Sequence, residues 1–304
     1  MTSEHKKNGI GRRDAAKMML VGSAAGLFGL NNGILSDSSG EGSQTSIGAT
    51  LLNKFKAKLK AGKAVYGPFI ETIDPAFIEV SGYAGFDFVI IDMEHGPASL
   101  SQVQNLISAA LLTNIIPIVR TSNATDTAIH QPLDLGALGV QIPQVSTSQA
   151  VKDCVKSARF FPEGERGLCR FVRAANYSAL PRDEYFRKAN EGLVIIQLEG
   201  KEVLDDLDNI LKVEGVDIFF IGPYDLSQSL GVPGQVTHPK VIETINGIVK
   251  RALSLGVVVG SFADTLQAVG MWKKAGIQYI SYSHDVGIYT DSCSRLVKEL
   301  NSQE

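Results

Sequence analysis

From about residue 49 onward the chain alternates short apolar, β-branched runs with longer amphipathic stretches, and it does so eight times. This alternation restricts the fold more than any other feature, because parallel strands need a crossover of a dozen or more residues and a helix is the usual one. The strand candidates are residues 65–71, 86–92, 115–121, 139–144, 193–199, 216–222, 257–262 and 278–283. Helical periodicity fills 100–112, 148–159, 182–190, 203–213, 239–255 and 266–275, and Gly215, Gly256 and Gly276 stand where left-handed caps would end helices. Eight such units in about 255 residues predict an α/β fold of the (β/α)8 TIM-barrel type. A doubly wound open sheet is the main competitor; it usually has fewer strands, and its nucleotide-binding glycine motifs GxGxxG and GxxxxGK[ST] do not occur here. Residues 160–178 carry few helix signals and several charges, an insertion of the kind that forms a functional loop or lid.

The first 45 residues read differently and are set apart from a catalytic-sized domain at 46–304. Lys6, Lys7, Arg12 and Arg13 precede an apolar run from Met18 to Leu30, and a Ser/Gly/Asp stretch follows. A charged start, a short apolar run and a polar tail describe an export signal. The run of 13 residues is too short to cross a hydrocarbon layer, which needs about 20 residues, so no stable membrane span is expected. The sequence Gly11-Arg12-Arg13-Asp14-Ala15-Ala16-Lys17 resembles a twin-arginine signal, with alanines where a bulky apolar pair is common. Two expectations stay open: a periplasmic or otherwise exported protein, or a bare arm that leaves the protein cytoplasmic. With 29 Lys plus Arg against 32 Asp plus Glu, nothing in the charge balance calls for nucleic acid. The three cysteines lack CxxC spacing, which removes a cysteine zinc site.

Barrel enzymes keep their chemistry at the carboxyl ends of the strands. The polar residues there are Asp92, Glu94 and His95, then Arg120, Gln144, Gln197 with Glu199, Asp225, and His284 with Asp285. No lysine ends a strand, so a Schiff-base aldolase has no nucleophile. Glu199 and Asp225 belong to consecutive units and should sit on neighbouring strands about 5 Å apart. Two carboxylates so placed repel, and either a divalent cation such as Mg²⁺ or Mn²⁺ or an arginine from elsewhere would resolve the repulsion. Gln197 shares a face with Glu199, as a ligand of a metal-bound water or as a buried amide. Arg120 ends an apolar strand, either to stabilise an anionic substrate or to close an ion pair. Asp92 and His95 bracket a turn in which the aspartate could orient the imidazole. His130 and His238 read as helix-side residues, and His284 has no nameable partner.

The segments Ile91-Asp92-Met93-Glu94-His95-Gly96-Pro97, Val119-Arg120, Leu133-Asp134-Leu135-Gly136-Ala137, Phe161-Pro162-Glu163-Gly164-Glu165-Arg166-Gly167, Gln197-Leu198-Glu199 and Phe220-Ile221-Gly222-Pro223-Tyr224-Asp225-Leu226-Ser227 occur in this order. Together they resemble the class II, metal-dependent pyruvate aldolases of the HpcH/HpaI family, from about Leu51 to Leu300, on a TIM barrel of the phosphoenolpyruvate/pyruvate type. The resemblance implies that Glu199 and Asp225 hold a divalent cation (Mg²⁺ or Mn²⁺, with Co²⁺ a further candidate) and that Gln197 holds one of its waters. It implies that the backbone around Gly222, Pro223, Tyr224 and Asp225 receives the pyruvate carboxylate, that Arg120 stabilises the enolate oxygen, and that His95 with Asp92 moves the proton of the aldol hydroxyl. Asp134 matches an aspartate that supports the site at a subunit contact. Tyr224 stands where the family often has a small residue, which would narrow the pocket. Hexamers built as trimers of dimers, with residues 289–300 exchanged between chains, are the expected assembly.

The implied reaction is reversible retro-aldol cleavage of a 2-keto-4-hydroxy acid to pyruvate and an aldehyde. Two alternatives accompany it: a citrate-lyase-like enzyme acting on a coenzyme A thioester, which needs a basic patch for phosphates, and an exported keto-acid-binding protein without turnover.

Overall fold

The computed structural model describes residues 47–303; the export-like segment and its linker lie outside the described residues. The elements run α1 (Ile47–Lys60), β1 (Val65–Ile70), α2 (Pro75–Tyr83), β2 (Phe88–Asp92), α3 (Leu100–Leu112), β3 (Ile116–Arg120), α4 (Asp126–Asp134), β4 (Gly139–Ile142) and α5 (Ser148–Ala158). A 3₁₀ segment, Arg173–Ser178, precedes α6 (Arg182–Asn190), β5 (Leu193–Leu198), α7 (Val203–Ile210), β6 (Ile218–Ile221), α8 (Pro223–Ser229), α9 (Pro239–Ser254), β7 (Val258–Ala263), α10 (Leu266–Ala275), β8 (Tyr279–His284) and α11 (Asp285–Asn301). The eight strands are parallel and close in sequence order into one barrel, as the alternation requires. Among the described residues no helix is long and apolar enough to cross a membrane.

The helix ends follow local chemistry. Thr125, Thr147 and Thr265 accept N–H bonds from the third residue of the helices they precede. Gly276 caps α10 with φ 100°, a conformation that side chains with a Cβ resist.

Along each strand alternate residues face the barrel interior or the helix layer. Phe88, Ile90, Ile116, Ile118, Leu193, Ile195, Ile218 and Phe220 fill the interior, and α1 closes its amino-terminal end with Leu52, Phe55 and Leu59. Phe55 meets Phe88 and Tyr279 edge-on at 6.1 and 6.4 Å. The outward set, including Val89, Ile91, Val119, Val140 and Ile196, packs under the helices. At the carboxyl end the interior residues turn polar: Asp92, Arg120, Gln141 and Gln197 are all buried. The same alternation that buries Phe88 and Ile90 therefore aims Asp92 into the mouth.

One strand breaks this rhythm. Gly67 of β1 pairs with Ser281, but Phe69 pairs with His284, so β8 carries one residue more than its partner over that interval. Ser283, inside this bulge, has φ 55°, which is costly for a residue with a side chain. Counting by twos from Tyr279 would send His284 outward; the bulge turns it inward against Phe69, with ring centroids 5.2 Å apart.

The insertion expected to be a loop or lid lies elsewhere. It follows α5, after the chain has returned to the amino-terminal ends of the strands, so it does not cover the catalytic mouth of its own chain. It forms a small core of Phe160, Ala175 and Tyr185.

Candidate active site at the carboxyl mouth of the barrel

Glu199 stands one residue beyond β5, and Asp225 lies in the first turn of α8, just after β6. Both lean toward Gly222: a Cβ built on that glycine would lie 3.5 Å from Glu199 Oε2 and 3.5 Å from Asp225 Oδ2. The glycine lies between the two carboxylates. Glu199 is gripped from its own side, since Gln197 Nε2 donates to Oε2 at 2.5 Å and the Gln144 backbone N–H donates to Oε1 at 2.6 Å. Gln141 Nε2 in turn donates to Gln197 Oε1 at 2.8 Å, which fixes the orientation of the amide. Burial, with the charges of Asp225 and Glu94 adding to it, holds the Glu199 carboxyl above the usual range against those two hydrogen bonds.

This donor set fits a hard divalent cation. Two convergent carboxylates, with no arginine between them among the described residues, would be relieved by a cation that accepts oxygen ligands. Among the described residues no group of three or more His, Cys, Asp or Glu could hold a metal, so a cation at this place would take two carboxylates from the protein and its other ligands from elsewhere.

Arg120, 7% exposed, ends β3. Its Nε and Nη2 donate to Oδ1 and Oδ2 of Asp92 at 2.8 and 2.5 Å, and Nη1 lies 3.2 Å from Glu94 Oε2. Its guanidinium carbon also stands 4.6 Å from the centre of the Phe69 ring. Burial alone would raise the Asp92 carboxyl, but the paired hydrogen bonds and charge of Arg120 override it and hold that carboxyl below its ordinary value. The expectation that Asp92 orients His95 is therefore corrected: both Asp92 oxygens are occupied by Arg120, as the register pairing of Asp92 with Arg120 across β2 and β3 dictates. His95 is exposed and borders two adjoining chambers of about 390 and 400 Å³.

The wall opposite the carboxylate pair comes from β1 and β8. Glu71, one residue beyond β1, lies 3.6 Å from His284 Nε2 through its Oε1. Asp285 fastens the two strand ends by accepting from the backbone of Glu71 and Thr72 at 3.0 Å each and from the Thr72 hydroxyl at 2.6 Å. Burial, then the charge of Asp92, pushes the Glu71 carboxyl up to about 7. Burial and the charge of Arg120 hold the His284 imidazole below its ordinary value. Tyr224 lines the chamber of about 390 Å³ beside Asp225. Its hydroxyl donates to Asp264 Oδ2 at 2.6 Å, a bond that, ahead of burial, pushes the phenol up to about 12.

The fold thus brings Asp92, His95, Arg120, Gln197, Glu199, Gly222, Pro223, Tyr224 and Asp225 to one mouth. Asp134 stands apart: it ends α4, at the amino-terminal side of the barrel, and pairs with Arg166 at 2.5 Å. Sequence reasoning gave no role to Glu94, Gln144 or Glu71, and it set His284 aside. Glu71 was within reach, since it ends the first strand candidate as the other site residues end theirs. His130 pairs with Asp126 along α4 and His238 caps α9, both outside the mouth.

Residues 66–292 match the model of the HpcH/HpaI aldolase/citrate lyase family. The chain is 33% identical over 249 residues to the 2-keto-3-deoxy-L-rhamnonate aldolase of Escherichia coli K12, covering 80% of this chain and 91% of that one. A HpcH/HpaI aldolase/citrate lyase family protein from Burkholderia cenocepacia J2315 superposes with a TM-score of 0.78 at 29% identity, over 82% of this chain and 99% of that chain. The citrate synthase SbnG superposes with a TM-score of 0.73 at 33% identity, over 82% and 98%. With the barrel, the carboxylate pair and the Arg120 clamp in place, the chain belongs to the HpcH/HpaI aldolase/citrate lyase family.

Proposed function

We propose that the protein is a metal-dependent aldehyde-lyase that cleaves a 2-keto-4-hydroxy acid reversibly to pyruvate and an aldehyde. One observation carries this reading: Glu199 and Asp225 converge across Gly222 in the same mouth that Arg120 enters. Glu199 and Asp225 would hold a divalent cation, which would supply Lewis acidity to the bound keto acid.

The remaining work falls to the chain. Gly222 precedes α8 without a side-chain cap, so the backbone N–H groups of Tyr224 and Asp225 are free to receive the substrate carboxylate. His95 takes the proton from the C4 hydroxyl as the C3–C4 bond breaks. The electron pair of that bond passes into the enolate of pyruvate, C4 becomes the aldehyde carbon, and a proton returned to C3 completes pyruvate. Arg120, held rigid by Asp92 and Glu94, faces the enolate oxygen and stabilises the charge that develops on it. Gln197 and Gln144 position Glu199.

A panel of 2-keto-3-deoxy acids with coupled detection of pyruvate tests the reading: pyruvate release with at least one member supports it, and no release from any member in the presence of Mn²⁺ or Mg²⁺ removes it. The thioester alternative is disfavoured, because Arg120 is the one Lys or Arg among the described residues lining the two chambers, and adenosine phosphates need more. The likeness to a citrate synthase fits the same residues working in the bond-forming direction.

We also propose export by the twin-arginine-like segment, tested by mass spectrometry of the extracytoplasmic form; recovery of only the unprocessed chain from the cytosol would count against it.

A further inference from the structure

We propose that a cavity at the amino-terminal end of the barrel, bordered by the 160–178 insertion, binds a small monocarboxylate with a short apolar body. The site is separate from the mouth and does not depend on the lyase reading.

The cavity, about 170 Å³, lies between α1, the residues just before β4 and β5, the insertion and α6. Four buried side-chain polar atoms lack a hydrogen-bond partner among the described residues, and two of them, Arg166 Nε and Tyr185 Oη, belong to side chains that line this one cavity. Arg166 is 5% exposed and Tyr185 1%. Buried donors are seldom left without an acceptor, so this pair calls for one from outside the chain. Both are fixed as donors. Arg166 is held by Asp134 Oδ1, 2.5 Å from its Nη2, and lies over the Phe160 ring at 4.5 Å. Burial, against the charge of Arg166, holds the Tyr185 phenol above its ordinary value, so its hydroxyl keeps its proton. The backbone beside them is strained: Asn176, which also lines the cavity, has φ 49°, and Tyr177 and Ser178 follow at 53° and 77°. Three successive left-handed residues with side chains are costly, and strain of this kind gathers at ligand clamps. Arg170 Nη2 ties that turn down by donating to the carbonyls of Ser178 and Leu180 at 3.3 and 2.9 Å.

Charge decides the ligand class. Three cations, Arg166, Arg173 and Lys188, line the cavity. Asp134 pairs with Arg166 and Glu184 with Lys188, each at 2.5 Å. Arg173 donates to the Leu135 carbonyl at 3.1 Å and has no carboxylate partner among the described residues. Three positive charges against two negative leave one, which matches a monoanion; a phosphate dianion would bring a charge that nothing in the cavity balances. A water molecule could accept both hydrogen bonds but would leave Arg173 uncompensated. A carboxylate accepts from Arg166 Nε and from the Tyr185 hydroxyl while answering the charge of Arg173. The remaining surface, with Leu52, Leu111 and Leu138, suits an apolar body behind that head.

The test measures binding to the metal-loaded full chain by calorimetry and by the rise in melting temperature. The probes are isobutyrate and isovalerate, with isobutyramide as the neutral isostere of isobutyrate and inorganic phosphate as the multivalent anion. We expect a saturable rise with at least one carboxylate and none with isobutyramide or phosphate. Tyr185→Phe deletes only the unpartnered hydroxyl, so without ligand it melts at or above the temperature of the parent, while its affinity for the carboxylate falls by at least about tenfold, the scale of one net hydrogen bond. Arg173→Met keeps an apolar stem, removes the uncompensated charge and loses affinity by a similar factor. Asp225→Asn, altered in the mouth, keeps the response of the parent. A carboxylate response that survives Tyr185→Phe or Arg173→Met, or that disappears in Asp225→Asn, puts the anion elsewhere and overturns the proposal. An equal response to isobutyramide or phosphate overturns it as well, as does the absence of a saturable response to either carboxylate. A Tyr185→Phe chain that melts below the parent without ligand would show the hydroxyl already engaged, with the same consequence.

Discussion

Arg120 and Asp92 form a buried ion pair of the mouth, joined by two hydrogen bonds. Removing one partner of such a unit leaves a buried charge, which costs about 3–5 kcal/mol of stability. Arg120→Ala should therefore lower both Tm and kcat, the latter by the roughly 3–4 kcal/mol of an oxyanion stabiliser. Arg120→Lys separates the effects: it keeps a charge for Asp92 but loses the planar fork, so much of the stability returns while kcat stays depressed by at least about tenfold. Thermal melts and steady-state kinetics on both variants check this, and a lysine variant with normal turnover would remove the enolate role. Glu71 gives a pH prediction. Its carboxyl sits at about 7 in the folded chain against 4.5 as its reference, so folding takes up a proton between those values, and the penalty of ionising Glu71 grows as pH rises through that window. Glu71→Gln should flatten the fall in stability between roughly pH 4.5 and 7; an unchanged slope in denaturant titrations across that range would contradict the assignment. These residues were unevenly legible. Arg120 announced itself as a charge ending an apolar strand, but the partner of Asp92 depended on cross-strand register, which a one-residue spacing cannot display.

The elements were read with little error because their signals are local. Strand candidates such as 86–92 and 115–121 became Phe88–Asp92 and Ile116–Arg120, trimmed by a residue or two, while α3, α6 and α10 hold the expected bounds. What escaped was the bulge in β8, since the extra residue shows only against β1; with it went His284. The opening helix α1 also went unlisted, although Leu51, Leu52, Phe55 and Leu59 form one buried stripe. Tight approaches between elements are similarly hidden. Gly67 of β1 has no room for a side chain: a Cβ there would lie 2.0 Å from the Phe88 carbonyl oxygen of β2. Gly67→Ala should cost about 3 kcal/mol or more, at the upper end of overpacking, and lower Tm by on the order of 10 °C. Differential scanning fluorimetry measures it directly, and a melting point within a degree or two of the parent would mean that β1 and β2 pack less closely.

At the scale of the whole molecule, the closed barrel gathers polar residues from several strands at one mouth and puts Asp134 and the 160–178 insertion at the other end. The long helix α11 leaves Tyr289, Leu296, Val297 and Leu300 more than half exposed, an apolar face that supports the proposal of a hexamer in which this segment is exchanged. Light scattering on the full chain decides it: six copies are expected, and a monomer at micromolar concentration would contradict the proposal. The central claim is chemical, a divalent cation shared by Glu199 and Asp225 and required for carbon–carbon cleavage. Its most direct test is the rate of pyruvate release before chelation, in excess chelator, and after return of Mn²⁺ or Mg²⁺, for the parent and for Glu199→Gln and Asp225→Asn. Loss in chelator, recovery on adding metal, and no recovery in either variant are the predicted results, whereas undiminished cleavage in excess chelator would contradict the account.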